Sequence, residues 1–193
     1  MRMAAVLEKK AKRWTYEDYY KLDNDQRYEI IDGNLLVAPA PALWHQDWLM
    51  DLAFLLRQHV REYRLGRLFI APVDVVPDDE NTIQPDLVFV ASAKAGMLRQ
   101  CAIFGAPDLL VELVSPSSAR RDRYVKKELY ARFGVKEYWI GDPANSSMEI
   151  LALDKGRYKP HCAAEEKGKL TSLVLTGLEF DLSELAPPLA GGS

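Results

Sequence analysis

The residues best suited to chemistry lie between Gln84 and Lys127, where two carboxylates interrupt apolar stretches. Asp86 stands in QPDLVFV and Glu112 in PDLLVELV, and both stretches predict strands. An ionised carboxylate in an apolar setting loses several kcal/mol of solvation, so it needs a cationic partner, a hydrogen-bond network or a metal ion. Lys126 follows on the next predicted helix. The sharpest hypothesis is an Asp, Glu, Lys set around a divalent cation, and a buried salt bridge between Glu112 and Lys126 is the alternative.

A divalent cation at these carboxylates would suit phosphodiester hydrolysis. That reaction needs an activated water, an acceptor for the charge that develops on phosphorus and a stabilised leaving oxygen, all of which Mg²⁺ or Mn²⁺ supplies. Mg²⁺ prefers oxygen ligands and keeps several waters, so Asp86, Glu112 and the Leu113 carbonyl would suffice as protein ligands. Lys126 would orient the attacking water or neutralise the phosphate. Glu29 would bind a second metal ion or assist proton transfer, unless it is an exposed hairpin residue.

Three more side chains are expected to support this site. Asp122 precedes Lys126 by four residues and Tyr130 follows it by four, so the three share one helix face. His45 follows a proline-rich turn. Each also has a structural alternative: Asp122 only fixes the Lys126 rotamer, Tyr130 packs in the core, and His45 borders a helix, since a lone histidine lacks the partners of a metal cluster.

The helix predicted for ARRDRYVKKELYARF is rich in basic residues. The formal net charge of the chain is −3, which argues against a generally basic coat for nucleic acid. Local charge can still hold a phosphate backbone, because binding depends on the cations that face it. The competing interpretation is a solvated helix face. The residues expected to contact phosphates are Arg120, Arg121, Arg123 and Lys127.

Size and composition indicate one globular domain. The chain has 193 residues, of which 48% are hydrophobic and 27% charged, enough for a single core. We expect a loose leader at 1–13, one domain at 14–187 and a flexible tail at 188–193. No apolar run approaches the roughly 20 residues of a membrane helix, and the charged start does not fit a secretory signal, so we expect a cytoplasmic protein. Cys101 and Cys162 lie far apart without CxxC spacing, which suggests neither zinc nor a disulfide framework.

The predicted elements give a mixed α/β sheet flanked by helices, with added N- and C-terminal β-hairpins. Thr15 and Asp18 have capping-box spacing at the start of a short helix, and Asp32-Gly33 marks a hairpin turn. An apolar stripe predicts a helix from His45 to Tyr63. Strands are predicted in GRLFIAPVDVVP, IQPDLVFV, APDLLVELV and KEYWIGDP, and antiparallel strands in MEILALDKGRYKPHCAA and KLTSLVLTGLEFDL.

These residues in this order resemble the Uma-type restriction-endonuclease family of the PD-(D/E)XK nuclease superfamily, from about Trp14 to Leu185. The resemblance implies a restriction-endonuclease-like fold, a Mg²⁺- or Mn²⁺-dependent endonuclease, a nucleic-acid substrate, in the first place DNA, and a homodimer. In this chain Val114 stands where the superfamily has its lysine, so the resemblance implies that Lys126 takes over that role. The motifs on which the resemblance rests are YEIIDG (28–33), His45, QPDLVFV (84–90), PDLLVELVSPSS (107–118), Asp122 with Lys126 and Tyr130, and GVKEYWIGDP (134–143).

Two other classes of function fit the same residues. A nucleic-acid-binding or regulatory module would keep the fold and the basic helix without catalysis, and the displaced lysine and the acidic net charge favour it slightly. A metal-dependent hydrolase of a small phosphoester is the other. The glycines are scattered at turns, so no phosphate-binding loop or dinucleotide motif competes. For the homodimer, the C-terminal strands offer an edge for pairing.

Overall fold

A computed structural model describes residues 12–24, 26–38, 42–116 and 118–185. The predicted tail, the domain boundary at 187 and nearly all of the predicted leader lie outside these ranges. Within them, no helix is long and apolar enough to cross a membrane. The helices are α1 Tyr16–Tyr20, α2 Leu43–Glu62 and α3 Lys127–Phe133, with a π-helical turn at Arg121–Lys126 and 3-10 turns at Ser92–Met97, Pro143–Asn145 and Leu182–Glu184. The strands are β1 Tyr28–Ile31, β2 Asn34–Val37, β3 Gly66–Ile70, β4 Val75–Asp78, β5 Asn81–Ile83, β6 Leu87–Ala91, β7 Ile103–Phe104, β8 Leu109–Leu113, β9 Glu137–Asp142, β10 Ser147–Asp154, β11 Arg157–Glu165, β12 Lys169–Thr171 and β13 Glu179–Asp181.

A mixed six-stranded sheet forms the centre of the fold, in the order β11-β10-β9-β8-β6-β3. In this sheet β8 and β9 are parallel, and every other pair of neighbouring strands is antiparallel. A second sheet has the order β2-β1-β5-β4-β7, and β12 pairs with β13. The predicted mixed sheet and the hairpins at both ends of the domain are confirmed.

The core has two parts because successive strand residues point to opposite faces of the central sheet. Leu87 and Phe89 of β6 join the cluster built on α2, which includes Trp48. Val88 and Val90 join the cluster on the other face. That second cluster also contains residues of β8, α3 and the smaller sheet, namely Leu110, Leu129, Tyr130, Ile31 and Ile83. The site described below lies where α2, the π-helical turn and the smaller sheet meet the central sheet.

Local signals explain the elements that were predicted well. Thr15 accepts a hydrogen bond from the Asp18 backbone N–H and Asp18 accepts one from Thr15, which confirms the capping box. Asp32 and Gly33 both have positive φ, 49° and 72°, as a tight hairpin turn requires. The helix predicted from His45 to Tyr63 is α2.

Two predicted strands are each divided in two, which corrects the sequence-based interpretation. GRLFIAPVDVVP forms β3 and β4, interrupted at Pro72, and IQPDLVFV forms β5 and β6, interrupted at Pro85. Proline cannot donate a hydrogen bond to a strand ladder, so the chain leaves one sheet there and enters the other. Asp86 therefore lies immediately before β6 and not within a strand.

Candidate active site

Asp86 and Glu112 lie side by side at one end of the central sheet. Leu87 of β6 pairs with Val111 of β8 in antiparallel register, and the same register extended by one residue sets Asp86 opposite Glu112. Opposite residues of an antiparallel pair project from the same face. Both side chains line a cleft of about 440 Å³. The predicted convergence of the two carboxylates thus follows from the pairing of β6 with β8.

Lys126 joins two of the predicted acidic residues. Its Nζ lies 2.8 Å from Glu112 Oε1 and 2.7 Å from Glu29 Oε1. Asp122 Oδ1 is farther away, at 3.6 Å. The Tyr130 hydroxyl donates to Glu112 Oε1 at 2.5 Å. All five residues are buried, and Lys126 is only 2% exposed.

The local structure explains why these side chains meet. Asp122, Lys126 and Tyr130 recur at helical spacing and face β8 together. Lys126 ends the π-helical turn Arg121–Lys126, a distortion that is frequent at functional sites. Glu29 comes from β1, which pairs with β5, and it accepts a further hydrogen bond at 3.0 Å from the backbone N–H of Gln84, the residue after β5.

Asp86 is held in place by two donors. The backbone N–H of Leu113 donates to its Oδ2 at 2.7 Å. His45 Nε2 lies 3.0 Å from its Oδ1, and His45 occupies the first turn of α2. His45 thus helps to fix the carboxylate of Asp86, and its supporting role in the site stays a prediction. The contact seen for Leu113 is made by its amide, and metal coordination by its carbonyl stays a prediction.

The carboxylates outnumber the cations in this cluster, which we name the acidic cluster: Glu29, Asp86, Glu112 and Asp122. Burial raises the pKa of Glu112 well above its usual value, and Asp122, Asp86 and Glu29 raise it further against the opposing effect of Lys126. Burial also raises the pKa of Asp122. For Glu29, burial acts in the same direction, but Lys126, Arg121 and the Gln84 N–H outweigh it and lower the pKa.

Lys126 remains positively charged in this environment. Burial alone would lower the pKa of its ammonium, but Glu112, Glu29 and Asp122 outweigh burial and raise it above the usual value. A lysine with a raised pKa carries its proton at neutral pH. It can donate hydrogen bonds and stabilise negative charge, but it does not serve as a general base.

The donor atoms of the cluster fit a hard cation such as Mg²⁺ or Mn²⁺. Glu29 Oε2 and Asp122 Oδ1 are buried without a hydrogen-bond partner among the described residues. Both hydrogen bonds that Glu112 accepts from side chains fall on Oε1. No three Asp, Glu, His or Cys residues in the described ranges stand close enough together to form a metal cage. The all-oxygen set therefore suits an ion that keeps most of its ligands as water and takes one or two carboxylates from the protein.

The four basic residues expected to contact phosphates do not share one environment. Arg121 lines the cleft, with Nη1 3.7 Å from Glu29 Oε2 and Nε 3.8 Å from Asp122 Oδ1. Arg123 donates to Asp142 at 3.2 Å. Arg120 is exposed and Lys127 is partly buried. Arg121 thus belongs to the edge of the acidic cluster, while the other three lie outside it.

Gln84 is a site residue that the sequence did not reveal. Its side-chain amide donates to Asp74 at 2.8 Å and to the Tyr19 hydroxyl at 3.2 Å, and its oxygen accepts from Arg27 at 2.9 Å. Together with its backbone bond to Glu29, these contacts fix the segment that carries Asp86. The one sequence feature that could have indicated Gln84 is its position directly before Pro85-Asp86. That position does not specify the residues to which Gln84 hydrogen-bonds.

The second Pro-Asp pair of the chain, at 107–108, has a structural role. Asp108 is 1% exposed, accepts from the Ala91 N–H at 3.0 Å, and lies 2.8 Å from Lys136 Nζ and 3.3 Å from Lys94 Nζ. It does not line the cleft. Burial alone would raise its pKa, but Lys136, the Ala91 N–H and Lys94 together lower it.

We expect Asp108→Asn to lower the free energy of unfolding by about 1–3 kcal/mol, the scale of lost hydrogen bonds to a buried charge, and to leave metal binding unchanged. Because folding lowers the pKa of Asp108, the stability that its charge contributes is present above the unfolded pKa and is lost as the pH falls through the folded pKa. Urea unfolding of wild type and variant at neutral and at acidic pH measures this. A stability difference that grows toward acidic pH would contradict the assignment.

Comparisons with known proteins agree with this architecture. A family model described as "Uma2: Putative restriction endonuclease" matches residues 16–183. The chain also resembles a solved structure described as that of "a putative nuclease belonging to DUF820 from Anabaena variabilis ATCC 29413", with a TM-score of 0.73 and 16% sequence identity over 88% of this chain and 96% of that chain. At that identity the likeness shows a shared fold. No curated protein matches the chain. The predicted restriction-endonuclease-like fold and family resemblance are confirmed.

Proposed function

The chain belongs to the Uma2 restriction-endonuclease family, and from that premise we propose that it is a Mg²⁺- or Mn²⁺-dependent endonuclease that hydrolyses DNA at the cleft lined by Asp86 and Glu112. The observation that carries the proposal is the contact of one buried lysine with two buried carboxylates beside that cleft. One ammonium cannot neutralise the four carboxylates of the acidic cluster. The excess negative charge suits a second cation, a metal ion, which would in turn attract an anionic substrate.

Asp86 and Glu112 would hold the metal ion. When bound, the ion lowers the pKa of a coordinated water and stabilises negative charge on the phosphate. Hydrolysis forms a bond from the water oxygen to phosphorus and breaks the bond from phosphorus to the leaving oxygen. The water loses one proton and the leaving oxygen gains one.

The protein groups beside Asp86 and Glu112 orient these carboxylates and would stabilise the charge that develops. The Tyr130 hydroxyl and the Lys126 ammonium fix Oε1 of Glu112, so Oε2 would be the oxygen that holds the ion. His45 and the Leu113 N–H fix Asp86 at both oxygens, Oδ1 and Oδ2, and the ion would take a remaining lone pair of this carboxylate. Lys126, being protonated, stabilises the phosphate by its charge. Glu29 sets the position of that ammonium.

A nucleic-acid-binding module without catalysis is the second candidate. Lys126 already neutralises part of the charge of Glu112 and Glu29, and Val114 stands where the superfamily lysine would. Nicking of supercoiled plasmid with Mg²⁺, with Mn²⁺ and with EDTA separates the two functions. Cleavage that needs the metal supports the endonuclease, and binding without cleavage supports the module. A cytoplasmic location and a homodimer, as predicted from the sequence, remain part of the proposal.

Arg120 offers the clearest test of contact with a phosphate backbone, because it is exposed at the start of the helical segment. Arg120→Ala should reduce the slope of log affinity against log salt by about one unit for duplex DNA. Arg123→Ala is the matched control, since Arg123 is paired with Asp142, and it should change the slope less. Fluorescence anisotropy over a series of salt concentrations gives both slopes. Equal slopes for Arg120→Ala and wild type would place Arg120 away from the DNA.

A further inference from the structure

The outer face of α2 exposes large apolar side chains that nothing in the described ranges covers. Leu43 is 79% exposed, Met50 65% and Phe54 72%. An α-helix turns about 100° per residue, which sets all three on one side of α2. The buried residues of the helix, His45, Trp48, Leu49, Leu52, Leu56 and Val60, lie on the opposite side. Single exposed apolar residues are ordinary, but three in line on one helix form a surface.

Charged residues of opposite sign lie along this apolar stripe. Asp47 lies within it, between Leu43 and Met50, and Arg57 and Arg61 follow Phe54 toward the end of the helix, on the same exposed side. None of the three has an ion-pair partner among the residues that the structure describes. We name this surface the α2 face: Leu43, Asp47, Met50, Phe54, Arg57 and Arg61.

The order of residues on the α2 face makes it complementary to itself. In an antiparallel pair of identical helices related by a two-fold axis, each contact occurs twice. With the axis at the level of Leu52, Met50 meets Phe54 of a second copy, and Asp47 meets its Arg57. Both pairs have the same centre, so one register satisfies these two contacts together. The same register sets Leu43 beside Arg61 of the second copy, where the aliphatic part of the arginine side chain can pack against the leucine.

We propose that the α2 face is the interface through which a second copy of this chain binds, antiparallel, in a symmetric dimer. The inference goes beyond cleavage and does not depend on it. The alternative of pairing at the sheet edge fits the structure less well. The edge strand β11 contains Pro160, which lacks an N–H, and its pairing with β10 has an irregular register at Ile150 and Leu151. Both features weaken strand pairing between molecules.

This dimer leaves the acidic cluster uncovered, because His45 projects from the side of α2 opposite the α2 face and contacts Asp86. The cleft also extends to the first turn of α2, where Trp44 and Gln46 line it on either side of Leu43 around the helix. A single helix pair is a small contact for two proteins, and we expect association at micromolar or higher concentration. The two-fold axis gives the dimer two identical sites, as two strands of a duplex would need if the proposed function holds.

Charge reversal at the paired positions tests the interface. Asp47→Arg alone would place two arginines together at each charged contact, and Arg57→Asp alone would place two aspartates together. Each variant should raise the dimer dissociation constant at least about tenfold. An equimolar mixture of the two variants should form a heterodimer, because each contact then joins opposite charges. The double variant Asp47→Arg/Arg57→Asp should again form a homodimer.

Sedimentation equilibrium of the full chain over a range of concentrations measures wild type, the two single variants, their mixture and the double variant. Circular dichroism, expected to be unchanged, shows that each variant is folded. If both single variants dimerise as tightly as wild type, as edge-strand pairing would predict, the proposal is overturned. A wild type that stays monomeric at every concentration also overturns it. Loss of dimer in both single variants without recovery in the mixture also overturns the register proposed here.

Discussion

Lys126→Ala should lower the rate of metal-dependent DNA cleavage by about 10²-fold or more. The reason is the loss of a protonated ammonium that lies 2.7–2.8 Å from Glu29 and Glu112 and belongs to a residue lining the cleft in which the DNA is proposed to bind. Metal affinity should change little, because Asp86 and Glu112 both remain. The substitution should also reduce the free energy of unfolding by about 3–5 kcal/mol, since it leaves buried carboxylates without their cation.

Lys127→Ala is the matched control for this variant. Lys127 lies about 100° around the helix from Lys126 and is only partly buried. Its removal should affect DNA affinity at most. Single-turnover nicking compares the two variants with wild type at a temperature at which circular dichroism shows all three to be folded. Equal rates for Lys126→Ala and wild type would remove Lys126 from the mechanism and leave it a structural cation.

Asp86→Asn and Glu112→Gln should each reduce Mg²⁺ or Mn²⁺ binding at least about tenfold and cleavage by about 10²-fold or more. Each substitution removes a charge and keeps the size of the side chain. An amide oxygen can still accept from the Leu113 N–H at position 86 and from Tyr130 at position 112, so the fold should be preserved. Calorimetric titration with Mn²⁺ reports metal binding without any need for DNA.

Asp108→Asn is the control, because it makes the same chemical change at the other Pro-Asp pair. That variant should bind metal and cleave as wild type does, with lower stability. Unchanged metal binding in both Asp86→Asn and Glu112→Gln would locate the ion elsewhere. Loss of binding in only one of them would reduce the proposed ligand set to a single carboxylate.

The sequence was most informative where one helical or strand period fixes which face a residue occupies. Asp122, Lys126 and Tyr130 share a face by their spacing. In the structure Lys126 and Tyr130 contact Glu112, and Asp122 lies 3.6 Å from Lys126 Nζ. The contact between Glu112 and Lys126 was foreseen as the alternative to a metal site. In the structure Lys126 contacts Glu112 at Oε1, and metal binding by Glu112 stays a prediction.

The sequence was least informative where the chain passes between sheets. Pro85 separates β5 from β6, and a continuous apolar pattern across it concealed the change of sheet. Gln84 and Arg121 owe their places in the site to that change and to the π-helical turn. Neither feature has a periodic signature, because long-range packing decides both. The apolar periodicity of α2 predicted correctly which side of the helix is buried. The α2 face could not be predicted, because the exposure of its apolar residues is known only from the structure.

Nicking of supercoiled plasmid under single-turnover conditions tests the central claim most directly, with wild type, Asp86→Asn and Asp108→Asn measured side by side in Mg²⁺, in Mn²⁺ and in EDTA. We predict nicking by wild type and Asp108→Asn in one or both metals, none in EDTA, and a rate at least about 10²-fold lower for Asp86→Asn. Folded wild type that binds DNA but leaves it intact in both metals, or Asp86→Asn that nicks as fast as wild type, would contradict the claim that this cleft is a metal-dependent nuclease site.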